Sequence, residues 1–179
     1  MEFTKLTNTN YYLTASFDCK NTVINNFLKS ENALDSNQGV TYILLNNSKN
    51  KLIGFYNIGI SRIDQVQSIG NTTYSTYMGG TAVLNYLALD KPFQHTYMLP
   101  EDSYSYGDYL LDNCESKLLS LRNQIGFTFI AISSTQEGLH LYRDKHDYEE
   151  FEEDMSIVVQ ESDKQCIKLY KWADDLEIE

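Results

Sequence analysis

Ala82-Val83-Leu84-Asn85-Tyr86-Leu87-Ala88-Leu89, a helical stretch from Asp108 to Gly126, and Phe127-Thr128-Phe129-Ile130-Ala131-Ile132 are the residues whose reading decides the fold. The first block is a nearly unbroken apolar run, the pattern of a strand covered on both faces. In the second, Leu110, Leu111, Cys114, Leu118, Leu121 and Ile125 recur at three- and four-residue steps, which winds them onto one helix face. Asp108 reads as the N-cap of that helix and Gly126 as its stop. The third block is a second buried strand. Strand, helix and strand in succession predict a parallel pair joined by a right-handed crossover.

Towards the N-terminus, Asn21 is placed to cap a helix starting at Thr22 or Val23, with Val23, Ile24, Phe27 and Leu28 on one side. After the polar stretch Glu31 to Gln38, the runs Val40 to Leu45 and Lys51 to Ile60 flank an Asn-rich turn and predict an antiparallel hairpin. Ser61 to Gly80 is polar and weakly periodic and reads as a surface loop. Asp90 to Tyr106, which holds Pro92 and Pro100, reads as irregular. Towards the C-terminus, Ser134-Thr135-Gln136-Glu137 matches a capping box that opens a short helix carrying Leu139, Leu141 and Tyr142. Strand candidates follow around Tyr148 to Phe151, Met155 to Val159 and Cys166 to Trp172. The expected class is α/β (α+β): a mostly antiparallel sheet with one parallel β-α-β step, flanked by helices. No repeat or boundary divides residues 1–179, so a single domain is expected.

The chain has 179 residues, 42% hydrophobic and 22% charged, the balance of a globular protein. It has no apolar run long enough to span a bilayer, and its first residues lack the pattern of a secretory signal. A cytoplasmic location with no membrane partner is the expectation. Cys19, Cys114 and Cys166 lie far apart with no paired spacing, and His95, His140 and His146 lack metal-ligand spacing. Neither a disulfide framework nor a metal site is expected. The net charge of −11 disfavours a nucleic-acid partner, because phosphates are repelled without a local basic patch.

Ser16-Phe17-Asp18-Cys19 with the helix Val23 to Leu28, Thr41-Tyr42-Ile43-Leu44, Ile53-Gly54-Phe55-Tyr56, Tyr86 to Gln94, and His140 to Lys145 occur in an order that resembles the GNAT N-acetyltransferases. Within that superfamily they are most similar to the small bacterial branch that includes toxin-type enzymes. The resemblance covers roughly nine-tenths of the chain. It implies acetyl-CoA as co-substrate, an amine-bearing small molecule or protein as acceptor, and a possible homodimer. It also implies that Leu87, Ala88 and Leu89 bond the pantetheine arm through their backbone. The superfamily's diphosphate loop, Q/R-x-x-G-x-G/A, is matched at Gln94, but Tyr97 and Leu99 stand where small residues belong. Glycine returns only at Gly107. Read as an insertion, this leaves Tyr106, Gly107 and Asp108 to meet the diphosphate at the helix start, where unpaired N–H groups carry roughly half a positive charge.

Tyr142 takes the position of the family's general acid, and a phenol with a pKa of about 10 is protonated at neutral pH. Its spacing from Leu139 also suits core packing. Asn85, Tyr86 and Tyr56 fall on strands that line the family's cleft, but none is an evident base. Two other readings stand beside the transferase. One is a non-catalytic interaction module using the Tyr-rich segment Gln94 to Ser105. The other is a toxin-type enzyme acting on aminoacyl-tRNA, against which the net charge weighs.

Overall fold

A computed structural model of the chain describes residues 1–99, 103–158 and 166–177. Its strands are β1 (Glu2–Lys5), β2 (Val40–Leu45), β3 (Leu52–Ile69), β4 (Thr72–Leu89), β5 (Phe129–Ser134), β6 (Glu149–Glu150), β7 (Met155–Ile157) and β8 (Ile167–Trp172), and its α-helices are α1 (Thr22–Leu28) and α2 (Tyr106–Arg122). Parallel pairing joins β4 to β5 and the other registered pairs are antiparallel, the mixed class expected.

The expected surface loop at 61–80 is instead the outer part of a long hairpin, β3–β4. Thr, Tyr, Ile and Val suit a pleated surface, and Gly70-Asn71 forms the connection, which is short enough to join only antiparallel strands. Gly70 has φ +62°, as the first central position of a type II′ turn requires. Core burial fades towards the tip of this hairpin, so its strands carry polar residues and lose the alternation by which a strand is recognised.

The chain divides into two compact units, Met1–Gly59 with Asn85–Glu115, and Ile60–Leu84 with Ser116–Glu179. In the first, β1 pairs with β2 from Glu2↔Leu45 to Lys5↔Tyr42, and β2 pairs with β3 from Val40↔Ile58 onward. The opening residues therefore supply an edge strand. Asn21 caps α1 as expected, its Oδ1 accepting from the N–H groups of Val23 (3.0 Å) and Ile24 (3.3 Å). Phe17, Phe27, Leu28, Ile43, Phe55 and Ala88 form a core on the α1 side. Leu110, Leu111 and Cys114 of α2 are fully buried. Each such leucine contributes about 1.5–3 kcal/mol by burial, and burial pushes the Cys114 thiol well above its ordinary pKa.

In the second unit the parallel register runs from Thr81↔Phe129 to Leu84↔Ile132. On its other edge β5 pairs with β8, and β6 adds to β8, while β7 lies along β3. The core here is Ile63, Val83, Phe129, Ala131, Ile157 and Tyr170. Helix α2 stops at Arg122, short of the expected Gly126. The Leu121 carbonyl accepts from both Gln124 and Ile125 N–H, and Arg122 donates to the Ala173 carbonyl at 2.9 Å and pairs with Asp174. Ile125 lies past the helix and is exposed. The expected capping box at Ser134 does not form, because Ser134 is the buried last residue of β5 and donates to the Thr135 carbonyl. Val159 lies outside the described residues. Among those residues no helix is long and apolar enough to cross a membrane.

Gly54 sits where another backbone closes in: a Cβ there would lie 2.9 Å from the Ala88 carbonyl oxygen and 3.1 Å from Leu110 Cδ2. A Gly54→Ala variant is expected to lose about 1–3 kcal/mol of stability by overpacking, read as a lower urea midpoint at unchanged slope.

Candidate functional site

In the first unit the end of β4 departs from regular pairing. Just past β4, Asp90 N–H donates to the Ile53 carbonyl of β3 at 2.8 Å. One break falls at Asn85–Tyr86. Asn85 Nδ2 donates to Asn57 Oδ1 at 2.8 Å, and Tyr86 stacks on Phe27 with ring centroids 4.3 Å apart. Phe27 in turn packs on Phe55, and Phe55 and Asn57 share one face of β3. Consecutive residues of a regular strand point to opposite faces, so two successive side chains reaching one face mark a β-bulge, which kinks a strand and breaks its ladder. The break begins one residue after the last registered parallel pair, Leu84↔Ile132.

Beyond the bulge, Asp90 N–H faces β3, so alternation turns the backbone groups of Ala88 to β3 and those of Leu87 and Leu89 to the opposite edge. Gln94 is not available for a ligand in the way expected: its Nε2 donates to the Leu89 carbonyl and to the Cys19 carbonyl, each at 3.0 Å. It straps the strand end to the segment before α1. Lys91 N–H adds a bond to the Asp18 carbonyl at 2.8 Å, and Asp18 N–H one to the Asp90 carboxylate at 2.9 Å.

The segment between Gln94 and α2 folds back on itself. Tyr97 and Ser105 form an antiparallel bridge, Met98 N–H donates to the Tyr104 carbonyl (3.0 Å), and Tyr106 N–H to the Thr96 carbonyl (3.1 Å). Ser105, not Asp108, caps the helix, and Gly107 lies within its first turn instead of before it. The cap is reciprocal: Asp108 N–H donates to Ser105 Oγ at 3.3 Å, while Ser105 N–H and Oγ donate to Asp108 Oδ2 at 2.6 and 2.7 Å. Asp108 is buried. Tyr104 OH donates to the Asp112 carboxylate, and burial, then that acidic partner, push its phenol upward. Tyr106 packs edge-on against Phe93. Of the first-turn N–H groups, that of Gly107 alone lacks a protein acceptor among the described residues.

The tip does not fit a diphosphate. Among the described residues such a group would find one open N–H and the carboxylates of Asp108 and Asp112, and the sequence has no lysine or arginine between Lys91 and Lys117. The cleft candidates do not fit a base either. Tyr56 OH donates to Asn113 Oδ1 at 2.8 Å and burial pushes its phenol far upward; burial also raises Tyr86. Asn85 is an amide tied through Asn57 to Thr41, whose hydroxyl donates to the Ala33 carbonyl.

Tyr142 belongs to the second unit. It lies in a π-helical turn, His140–Lys145, not in a regular helix, and π turns concentrate at functional sites. Its ring is buried edge-on against Tyr148, with centroids 5.9 Å apart, and its carbonyl accepts from Tyr148 N–H at 3.0 Å. Arg143 steadies the turn by pairing with Asp144 and Glu150.

No family model and no curated protein sequence matches the chain. Solved structures do. A tyrosine-to-phenylalanine mutant of the AtaT toxin superposes with a TM-score of 0.72 at 17% identity, over 99% of this chain and 92% of that one. AtaTR bound with acetyl-CoA gives 0.71 at 17%, over 99% and 96%. AtaT complexed with acetyl-methionyl-tRNAfMet gives 0.68 at 16%, over 99% and 97%. The chain has the GNAT fold.

Within this GNAT fold, sequence reasoning located the strand and the helix but missed how they are tied. The pattern Ser105-Tyr106-Gly107-Asp108 is itself a capping-box signature, and Asn57, fully buried between Asn85 and Thr41, carries no signal in a single sequence. Ser105→Ala is expected to cost about 0.5–2 kcal/mol by loss of the cap. Combined with Asp108→Ala in a denaturation double-mutant cycle, it should show a coupling of about 0.5–3 kcal/mol; additive losses would mean that the two side chains act independently.

Proposed function

We propose that the chain is an N-acyltransferase that moves an acetyl group from acetyl-CoA to a primary amine by direct attack, the two units working as one domain. The observation that carries this reading is the GNAT fold over 99% of the chain, with β4 bulged at the point where that fold offers strand backbone to a thioester. In this reading the N–H and C=O of Leu87, with the Leu89 N–H, bond the amides of the pantetheine arm, as an added strand would. Fixing the donor against a strand held by Gln94 and Asp90 supplies proximity.

The acceptor nitrogen forms a bond to the thioester carbonyl carbon, and the C–S bond breaks with its electron pair going to sulfur. Tyr142 gives its phenolic proton to that sulfur, the nitrogen releases a proton to water, and water restores the phenol. The buried ring contact with Tyr148 holds the Tyr142 side chain in one orientation.

A second reading makes aminoacyl-tRNA the acceptor. It is favoured by the solved neighbours, which are toxins, one of them complexed with acetyl-methionyl-tRNAfMet. The net charge of −11 weighs against it, and a small molecule or protein amine is preferred. Calorimetric titration with acetyl-CoA is expected to give a binding isotherm; no heat at millimolar ligand would sink the transferase reading. Tyr142→Phe should lower turnover by about 10²–10⁴-fold with little change in donor affinity, whereas unchanged turnover would leave Tyr142 a packing residue. Transfer to aminoacyl-tRNA but to no free amine would favour the second acceptor.

A further inference from the structure

We infer that this chain recognises its acyl donor through the pantetheine arm alone, so that acyl-pantetheine thioesters without a nucleotide serve as well as acyl-CoA. The inference rests on the transferase reading and deepens it by naming the donor class.

Three features of the segment from Gln94 to Asp112 carry it. First, of the backbone donors that would grip a diphosphate, only the Gly107 N–H is open among the described residues: Asp108 N–H is on Ser105 Oγ, Tyr106 N–H on the Thr96 carbonyl, and Ser105 N–H on the Asp108 carboxylate. Second, the fixed charges have the wrong sign. The buried Asp108 carboxylate already occupies the positive end of the helix, and Asp112 follows one turn later, bonded to Tyr104. The sequence has no lysine or arginine from 92 to 116. Third, the side chain that opens the family's loop is consumed, since Gln94 bridges the Leu89 and Cys19 carbonyls. The strand edge at Leu87 is untouched by these substitutions, because strand bonds use backbone and tolerate any side chain there. The reaction balances identically for either donor: the C–N bond forms, the C–S bond breaks, and the proton lost by nitrogen is matched by the one gained at sulfur.

The test titrates the full chain calorimetrically with acetyl-CoA, with acetyl-pantetheine, and with adenosine 3′-phosphate 5′-diphosphate. The two thioesters are expected to bind within about tenfold of each other and to show little dependence on salt, while the nucleotide alone neither binds nor competes. A preference for acetyl-CoA of more than about tenfold, or competition by the nucleotide, overturns the inference and leaves the transferase reading intact. Absence of heat from both thioesters overturns the transferase reading, and this inference with it.

Discussion

A strand in which two successive side chains reach one face cannot stay flat, and most of what is distinctive here follows from that bulge. It lies at Asn85–Tyr86 of β4, where the Asn85 amide bonds the fully buried Asn57 and Asn57 bonds Thr41. Parallel pairing with β5 is registered up to the residue before the bulge. A regular β4 would keep its edge groups available for a continuing ladder. In the proposed reading, a kinked one leaves the backbone of Leu87 and Leu89 to the pantetheine arm.

The far end of the same strand is fastened with unusual thoroughness. Gln94 ties Leu89 to Cys19, Lys91 ties the following turn to Asp18, and Ser105 and Asp108 close the helix that comes next. These bonds rigidify the approach to the helix, and they do so with groups that a phosphate would otherwise recruit. Stability of the loop and affinity for a nucleotide would draw on the same N–H groups, and here the loop holds those of Tyr106 and Asp108.

How much of this was legible depends on whether a signal is local. The α1 cap by Asn21, the β2–β3 hairpin, the buried face of α2 at Leu110, Leu111 and Cys114, and the parallel step are all written in adjacent residues, and all are present. The hairpin at 61–80 was not legible, because strand alternation reports burial and its outer strands have little. The stop of α2 at Arg122 depends on Ala173 and Asp174, some fifty residues away. The role of Gln94 as a strap depends on Cys19 in the same manner. Ser105 is the exception: its pairing with Asp108 is local and was hidden only because Asp108 itself is an acceptable cap residue.

The interleaving of the two units sets the order in which the protein can be made. The chain leaves the first unit after Gly59, returns at Asn85, and leaves again after Glu115. A ribosome must therefore have released the chain through Glu115 before the first unit can close around Phe55 and Ala88. Strand β8, which pairs with β5, follows it well downstream. Nascent chains thus carry an unpaired β5 edge while residues 134 to 167 are added, and contacts of such long sequence separation close slowly. Factors that shield exposed strand edges during translation would have most to do between residues 134 and 167.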